Sequence, residues 1–176
     1  LIAAGTGATG KALEELEQSF RDVWKTVPQD AATVAGALAD INTELALEGP
    51  ILEKVTKAFL TVSRAMGEEA GPMIKAVADA MIAFNVPAIE AEGVLDKLTV
   101  ASQAVGVPMT KLADIMVNFG PQLNALGLPL NEAIALVSNL EAAGLSAAKI
   151  MPGLNTAMDK LAKEGVVDLT QGLKDA

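Results

Sequence analysis

The chain has 176 residues, a length that suits one domain with a substantial core, and it contains neither cysteine nor histidine. The lack of cysteine excludes disulfides and thiolate metal sites, and the lack of histidine removes the commonest general base and metal ligand. The net charge of −9 disfavours nucleic-acid binding as the main task, because an acidic surface repels phosphates.

Hydrophobic residues make up 51% of the chain but aromatic residues only 3%, so the apolar content is mostly Ala, Leu, Val, Ile and Met. Ala and Leu favour helices because they lose little side-chain freedom there. The longest uncharged interior run, residues 115–131, contains glycines and prolines and lacks the unbroken apolar stretch of a membrane span. No signal peptide is visible, and since the first residue is not Met we expect a segment of a longer protein.

Residues 1–9 are rich in Gly, Ala and Thr, and we predict a flexible or extended lead-in there. Beyond them, apolar residues recur at spacings of three and four, which places them on one face of a helix. The Gly-Pro dipeptides at 49–50, 71–72 and 120–121 each indicate the end of one helix and the start of another. These signals predict about nine helices, over residues 10–26, 31–48, 50–66, 72–84, 88–105, 109–119, 121–126, 131–143 and 147–163.

The fold is therefore predicted to be all-α, as a multi-helix bundle or a short antiparallel helical array. The dipeptides Val86-Pro87, Val107-Pro108 and Leu128-Pro129 are each 21 residues apart and precede amphipathic helices, which is the pattern of an array. We favour the compact bundle because three units are few and their sequences diverge. The helical domain is predicted to span 10–165, and 166–176 to begin a further, truncated helix or a linker.

One motif suggests nucleotide chemistry. Residues 5–11, with the sequence Gly-Thr-Gly-Ala-Thr-Gly-Lys, match G-x-G-x-x-G and also a phosphate-binding loop as far as Lys11. Such a loop needs Ser or Thr next, to bind magnesium, but position 12 is Ala, and it also needs a preceding strand. A loose lead-in is the favoured interpretation, and an enzyme with a nucleotide loop is kept as a third hypothesis.

Paired carboxylates and serines are the remaining chemical candidates. No histidine, cysteine or convergent acidic loop accompanies them, so charged solvated surfaces explain the carboxylates better than acid–base or metal chemistry. The serines lack a base that would activate them. We predict no catalytic, cofactor-binding or metal-binding residues and a protein that is not an enzyme; the residues weighed are Glu14, Glu15, Glu68, Glu69, Glu90, Glu92, Ser102, Ser138 and Ser146.

The methionines and the single tryptophan each allow two interpretations. The methionines lie at core-like positions, which favours core filling over a groove for a partner helix. Trp24 either packs in the core or anchors a contact with a neighbouring subunit, since tryptophan is enriched at interfaces. The methionines are Met66, Met73, Met81, Met109, Met116, Met151 and Met158.

Several spaced patterns carry a resemblance. They include Leu13-Glu14-Glu15-Leu16, Ala39-Asp40-Ile41-Asn42-Thr43-Glu44-Leu45, Leu95-Asp96-Lys97-Leu98 and Leu140-Glu141-Ala142-Ala143-Gly144-Leu145. In this order they resemble phage tail tape measure proteins, in the helical module that follows the N-terminal region. The likeness covers most of residues 13–163 and departs at Pro152, where an unbroken helix is expected.

The resemblance implies a structural role in the virion. Tape measure proteins set tail length and help tail assembly and genome delivery. The implied partners are tail tube, tail tip or baseplate hub proteins and assembly chaperones, with a homo-oligomer in the tail, and the implied location is the phage tail, after the host cytoplasm during assembly. The frequent helix breaks predict that this segment is a compact, folded part of an otherwise elongated tape measure protein, which we call a folded station. The alternative is a generic helical protein–protein interaction or scaffold domain.

Overall fold

The computed structural model describes residues 1–125 and 127–163, and helices account for most of them. No strand occurs among these residues, which confirms the all-α prediction. A 3₁₀ turn at Ala88–Glu90 precedes α6. The α-helices are α1 (Ile2–Thr6), α2 (Gly10–Trp24), α3 (Ala31–Leu45), α4 (Gly49–Met66), α5 (Ala70–Ala83), α6 (Ala91–Val105), α7 (Met109–Ala125), α8 (Leu130–Ala142) and α9 (Ala147–Lys163).

The helices are arranged as two layers. Helices α1, α3, α5, α7 and α9 pack in sequence order in one layer, and α2, α4, α6 and α8 do so in the other. Each helix also packs against its neighbours in the chain, so the extensive contacts join helices one or two positions apart. The core lies between the layers. Of the two arrangements that the sequence allows, this contact pattern is that of the helical array.

The array repeats a unit of two helices. Helices α3, α5 and α7 begin 39 residues apart, and α9 begins 38 residues after α7. The same offset of 39 relates their buried side chains, because Val34, Met73 and Leu112 occupy equivalent positions and are all nearly inaccessible to solvent. Leu38, Val77 and Met116 form a second equivalent set. The periodicity therefore belongs to the packing and not only to the turns.

The turns have a common backbone conformation. Val86, Val107 and Leu128, whose spacing is visible in the sequence, each follow a residue with positive φ. In several turns the next N–H donates to a carbonyl five residues back, as from Val86 to Met81 at 2.8 Å, which is the usual bond of a left-handed helix ending. The left-handed residues of this kind are Ala46, Gly67, Asn85, Gly106, Gly127 and Gly144.

Two predictions about local structure are wrong. Residues 2–6 of the supposedly loose lead-in form α1, because Ile2 is buried and Gly5 lies close enough to α3 that a Cβ there would sit 3.0 Å from that of Ala39. The Gly120-Pro121 dipeptide does not separate two helices, because α7 continues through it. The side-chain amide of Asn124 donates to the Ala83 carbonyl at 2.8 Å and holds this part of α7 against α5.

The other helix boundaries agree with the predicted ones to within a few residues. Helix α9 runs continuously through Pro152, so the break considered there does not occur. The predicted start of a further helix at 166–176 lies outside the described residues, and the division into a lead-in, a domain and a tail stays a prediction. No single described helix is long and apolar enough to cross a membrane. Helix α8 and residues 147–153 have sufficient length and hydropathy when they are taken together, but they are bent by 114° relative to each other.

Candidate functional site

The glycine-rich motif lies between two helices and not between a strand and a helix. Gly5 and Thr6 belong to α1, and Gly7 has a φ of 69° that ends this helix. The Lys11 side chain is 88% exposed and pairs with Glu15 across one turn of α2, at 3.4 Å. A phosphate-binding loop holds its lysine beside the phosphates at the edge of a sheet, so this geometry does not suit one.

Glu68 has a structural task that sequence reasoning missed. Its carboxylate, in the turn between α4 and α5, accepts hydrogen bonds from the backbone N–H groups of Met109 at 2.8 Å and Thr110 at 3.1 Å, and from the Thr110 hydroxyl at 2.8 Å. These N–H groups belong to the first turn of α7 and have no partner within the helix. Glu68 therefore caps a helix 41 residues further along the chain and joins two successive units of the array.

The remaining carboxylate pairs lie apart from one another. Glu14, Glu15, Glu69 and Glu90 are exposed, and Glu92 forms an ion pair with Lys54 of α4. Among the described residues, no group of three or more Asp, Glu, His or Cys side chains could hold a metal ion.

The serines are used in helix and turn structure. The Ser102 hydroxyl donates to the Val107 carbonyl at 2.6 Å and closes the turn that follows α6. Ser138 donates to the Ile134 carbonyl one turn back in α8. The Ser146 carbonyl accepts the N–H groups of Lys149 and Ile150 in the first turn of α9. These bonds give the three residues structural roles.

Asp40 is an acidic residue whose surroundings disfavour the charged form of its carboxyl group. It lies on α3 in a groove that Arg64 of α4 and Gly71 of α5 also line, and a Cβ on Gly71 would meet its carboxylate at 3.2 Å. Burial, with a smaller contribution from the charge of Glu44, raises the pKa of the Asp40 carboxyl above its ordinary value. Gln29, in the same groove, donates to the Leu60 carbonyl at 2.7 Å, while its own oxygen is buried with no partner in the described part of the chain.

The methionines are core residues wherever their surroundings are described. Met66 packs against the core from a half-buried position, and the side chain of Met158 lies outside the description. The fully buried members are Met73, Met81, Met109, Met116 and Met151, so the interpretation as core filling is confirmed for them.

Trp24 is at the surface. Its indole is 48% exposed and stacks on the ring of Phe20, with the ring centroids 5.7 Å apart. The interpretation of Trp24 as a core residue is therefore wrong. The alternative, that it anchors a contact with a neighbouring subunit, remains a prediction.

A mostly apolar groove lies between α6 and α8. It has a volume of about 440 Å³, and its apolar lining includes Val100, Ala104, Ile134 and Ala135. Val100 is 66% exposed, which is unusual for an aliphatic residue in the middle of a helix. The arrangement suits packing against another helix better than it suits a reaction, because its lining has one acid, Asp96, and one base, Lys97, and otherwise uncharged side chains.

The comparisons with known proteins place the chain in one protein family. The family described as "Phage-related minor tail protein" matches residues 17–176, which is most of the chain. No curated protein matches the sequence. No solved structure matches it either. The chain belongs to the family of phage-related minor tail proteins and is a structural component of the phage tail.

Proposed function

We propose that the chain is the helical module of a tape measure protein and forms a folded station on a longer, largely helical ruler. The observation that supports this most directly is the combination of the minor tail family with an array that grows in one direction, by one helix pair at a time. A ruler needs an element whose length follows residue number, and stacked helix pairs have this property.

The folded state distinguishes the module from a rod. A continuous helix would gain about 1.5 Å per residue, or about 60 Å for each 39-residue unit. In the array each added pair extends a layer by one interaxial distance, about 10 Å. The long apolar stripes of α3, α5 and α7 are buried only when the helices stack, so the folded array is the stable state of the isolated segment.

The proposed partners are other tail proteins: the tube, the tail tip or baseplate hub, and assembly chaperones in the host cytoplasm. The exposed ring of Trp24, which stacks on the half-buried Phe20, and the groove between α6 and α8 are the surfaces best suited to protein contacts. We also propose that several copies associate in the tail. Nucleic acid is not proposed as a main ligand, because the net charge is −9.

A role in genome delivery is compatible with how the array is held together. The extensive contacts among the described residues join helices one or two positions apart, and none of them joins α1 to α9. A pulling force at either end would remove helix pairs one after another without first breaking a contact between distant parts of the chain. We propose that the module opens in this order when the tape leaves the tail.

The test is the tail length of phage whose gene encodes zero, one, two or three extra copies of residues 70–108. Tail lengths are measured by electron microscopy. If the segment is folded when tail length is set, we expect tail length to increase linearly by about 10 Å per added copy. An increase of about 60 Å per copy would show that the segment is extended when length is set, and would contradict the folded station.

A matched control replaces residues 70–108 with a second copy of residues 31–69, which preserves both the residue count and the helix-pair repeat. Tail length should then stay unchanged. A tail length that does not respond to any number of added copies would contradict a role of this segment in measuring length.

A further inference from the structure

One face of α6 and of the turn before it is exposed along its whole length. Ile89 is 61% exposed and Val100 66%, and all the residues between them on this face are exposed as well. We call this face the α6 stripe; it consists of Ile89, Gly93, Asp96, Lys97, Val100 and Ala104. Within α6, the intervals of three and four residues keep Gly93, Asp96, Lys97, Val100 and Ala104 on one side of the helix. Ile89 is exposed in the 3₁₀ turn directly before it.

The α6 stripe is symmetric about its centre. Its members are separated by four, three, one, three and four positions, so the order of intervals is the same in both directions. When two such stripes face each other antiparallel, Asp96 of one copy lies opposite Lys97 of the other, and Lys97 opposite Asp96. A large apolar side chain then meets a small residue at each remaining position: Val100 opposite Gly93, and Ile89 opposite Ala104.

We propose that the α6 stripe is the surface through which two copies of this chain associate, as an antiparallel pair with a two-fold axis between Asp96 and Lys97. A two-fold interface has to be complementary to itself, and this stripe is complementary to itself in both charge and size. The proposal gives the proposed homo-oligomer of the tail a defined surface and rests on that part of the proposed function.

Charge supports a second copy as the occupant. The chain carries a net charge of −9, which opposes association through most of its surface. The stripe has one acid and one base, and neither Asp96 nor Lys97 forms an ion pair with another described residue. Glu92 beside the stripe is already paired with Lys54. The stripe is therefore neutral, with two charges that are available to the second copy.

The neighbouring helix α8 provides room for the partner. Asn131, Ala135 and Ser138 line the groove next to Val100 and are short and uncharged. The helix of the second copy can therefore approach α6 closely and rest on α8 without burying an unpaired charge.

The first test is sedimentation velocity of the chain over a range of concentrations. We expect a monomer–dimer equilibrium whose dissociation constant rises at least about tenfold in V100D, because an unpaired carboxylate would be buried at the contact. The matched control is I82D, at a site on α5 that is 63% exposed but lies outside the stripe, and it should leave the equilibrium unchanged. A chain that stays monomeric, or a dimer that V100D does not weaken, would overturn the proposal.

Charge exchange tests the predicted register. D96K places Lys opposite Lys twice in the dimer and K97D places Asp opposite Asp, so each should weaken association about tenfold. D96K reduces the net negative charge, so general repulsion cannot explain a weaker dimer in that variant. The double variant D96K/K97D should return the dissociation constant to within about twofold of the original. Failure of this rescue would contradict the proposed register.

Crosslinking tests the antiparallel direction, and the natural chain has no cysteine to interfere. A chain with I89C mixed with a chain with A104C should form disulfide-linked dimers, because these positions face each other. Either variant alone should not, since its two cysteines would lie about 22 Å apart along the helix axis. Efficient crosslinking of A104C alone would indicate a parallel pair and overturn the proposal. These results are independent of the tail-length series, so the two proposals fail separately.

Discussion

The carboxylate of Glu68 accepts two hydrogen bonds from Thr110, one from its backbone N–H at 3.1 Å and one from its hydroxyl at 2.8 Å. These bonds join the turn between α4 and α5 to the beginning of α7. A cap supplied from another unit of the array stabilises the helix and also fixes its position relative to the preceding pair.

Glu68→Ala should therefore lower the free energy of unfolding by about 1–2 kcal/mol, because two N–H groups and one hydroxyl at the start of α7 lose their acceptor. Chemical denaturation monitored by circular dichroism measures this change. The neighbouring Glu69→Ala is the control, since its exposed side chain makes no capping hydrogen bond, and it should change the stability by less than about 0.5 kcal/mol. Equal effects of the two substitutions would show that the cap contributes nothing.

Gly120 lets α7 approach α5. A Cβ at this position would lie 3.0 Å from the Cβ of Ala83 and 3.3 Å from the Phe84 ring, and Ala83 cannot move without moving its helix. Gly120→Ala should lower stability by about 1 kcal/mol, although Gly to Ala in a helix is ordinarily favourable. Gly36→Ala, where nothing lies within 4 Å of the added Cβ, should instead raise stability by about 0.5–1 kcal/mol. A stabilising Gly120→Ala would contradict the close approach.

Ala46 occupies the left-handed position that glycine fills in most equivalent turns, with a φ of 51°. This conformation costs a residue with a Cβ about 1 kcal/mol. Ala46→Gly should therefore raise the melting temperature, by an amount that corresponds to less than about 1 kcal/mol. The reverse change, Gly67→Ala at a φ of 68°, should lower stability by about 1 kcal/mol. A melting temperature that falls in Ala46→Gly would argue against the shared turn conformation.

Some parts of this fold can be predicted from the sequence, and others depend on contacts that the sequence does not reveal. The helices can be predicted because their apolar spacing is strong and each connection contains glycine or proline or, between α3 and α4, directly precedes a Gly-Pro dipeptide. The array was harder to predict. Asn85 and Ala46 take the left-handed conformation without being glycine, so the repeated turn is only partly visible in residue types.

The errors come from contacts between distant residues. Helix α1 is short and poor in large apolar residues, and it forms because Ile2 is buried and Gly5 packs on α3. Pro121 remains inside α7 because the same segment is held against α5 through Gly120 and Asn124. The cap formed by Glu68 also depends on the stacking of the units, and a pair of adjacent glutamates gives no sign of it.

Asp40 should make stability depend on pH in the acidic range. Its pKa is raised in the folded chain, chiefly by burial, so the folded state holds this proton more tightly than the unfolded state does. Its contribution is favourable while it is protonated, and it is lost as the pH rises from the ordinary value near 3.8 through the raised value. At neutral pH, Asp40→Asn should therefore stabilise the fold, by less than about 1 kcal/mol because most of the carboxyl still faces water.

Thermal unfolding of the Asp40→Asn variant between pH 3 and 7 measures this effect. The control is Asp79→Asn on α5, which removes the ion pair with Lys75 and should not stabilise the fold at neutral pH. A loss of stability in Asp40→Asn at neutral pH would show that the carboxylate makes a favourable contact instead.

Limited proteolysis of the isolated chain tests whether it folds as a stack of helix pairs. Trypsin at increasing concentrations, followed by mass spectrometry, identifies the segments that resist cleavage. We expect a resistant core that contains α3–α8, although this core includes trypsin sites such as Lys54, Lys57, Lys75 and Lys97. Rapid cleavage throughout residues 30–160, with no resistant fragment, would contradict it.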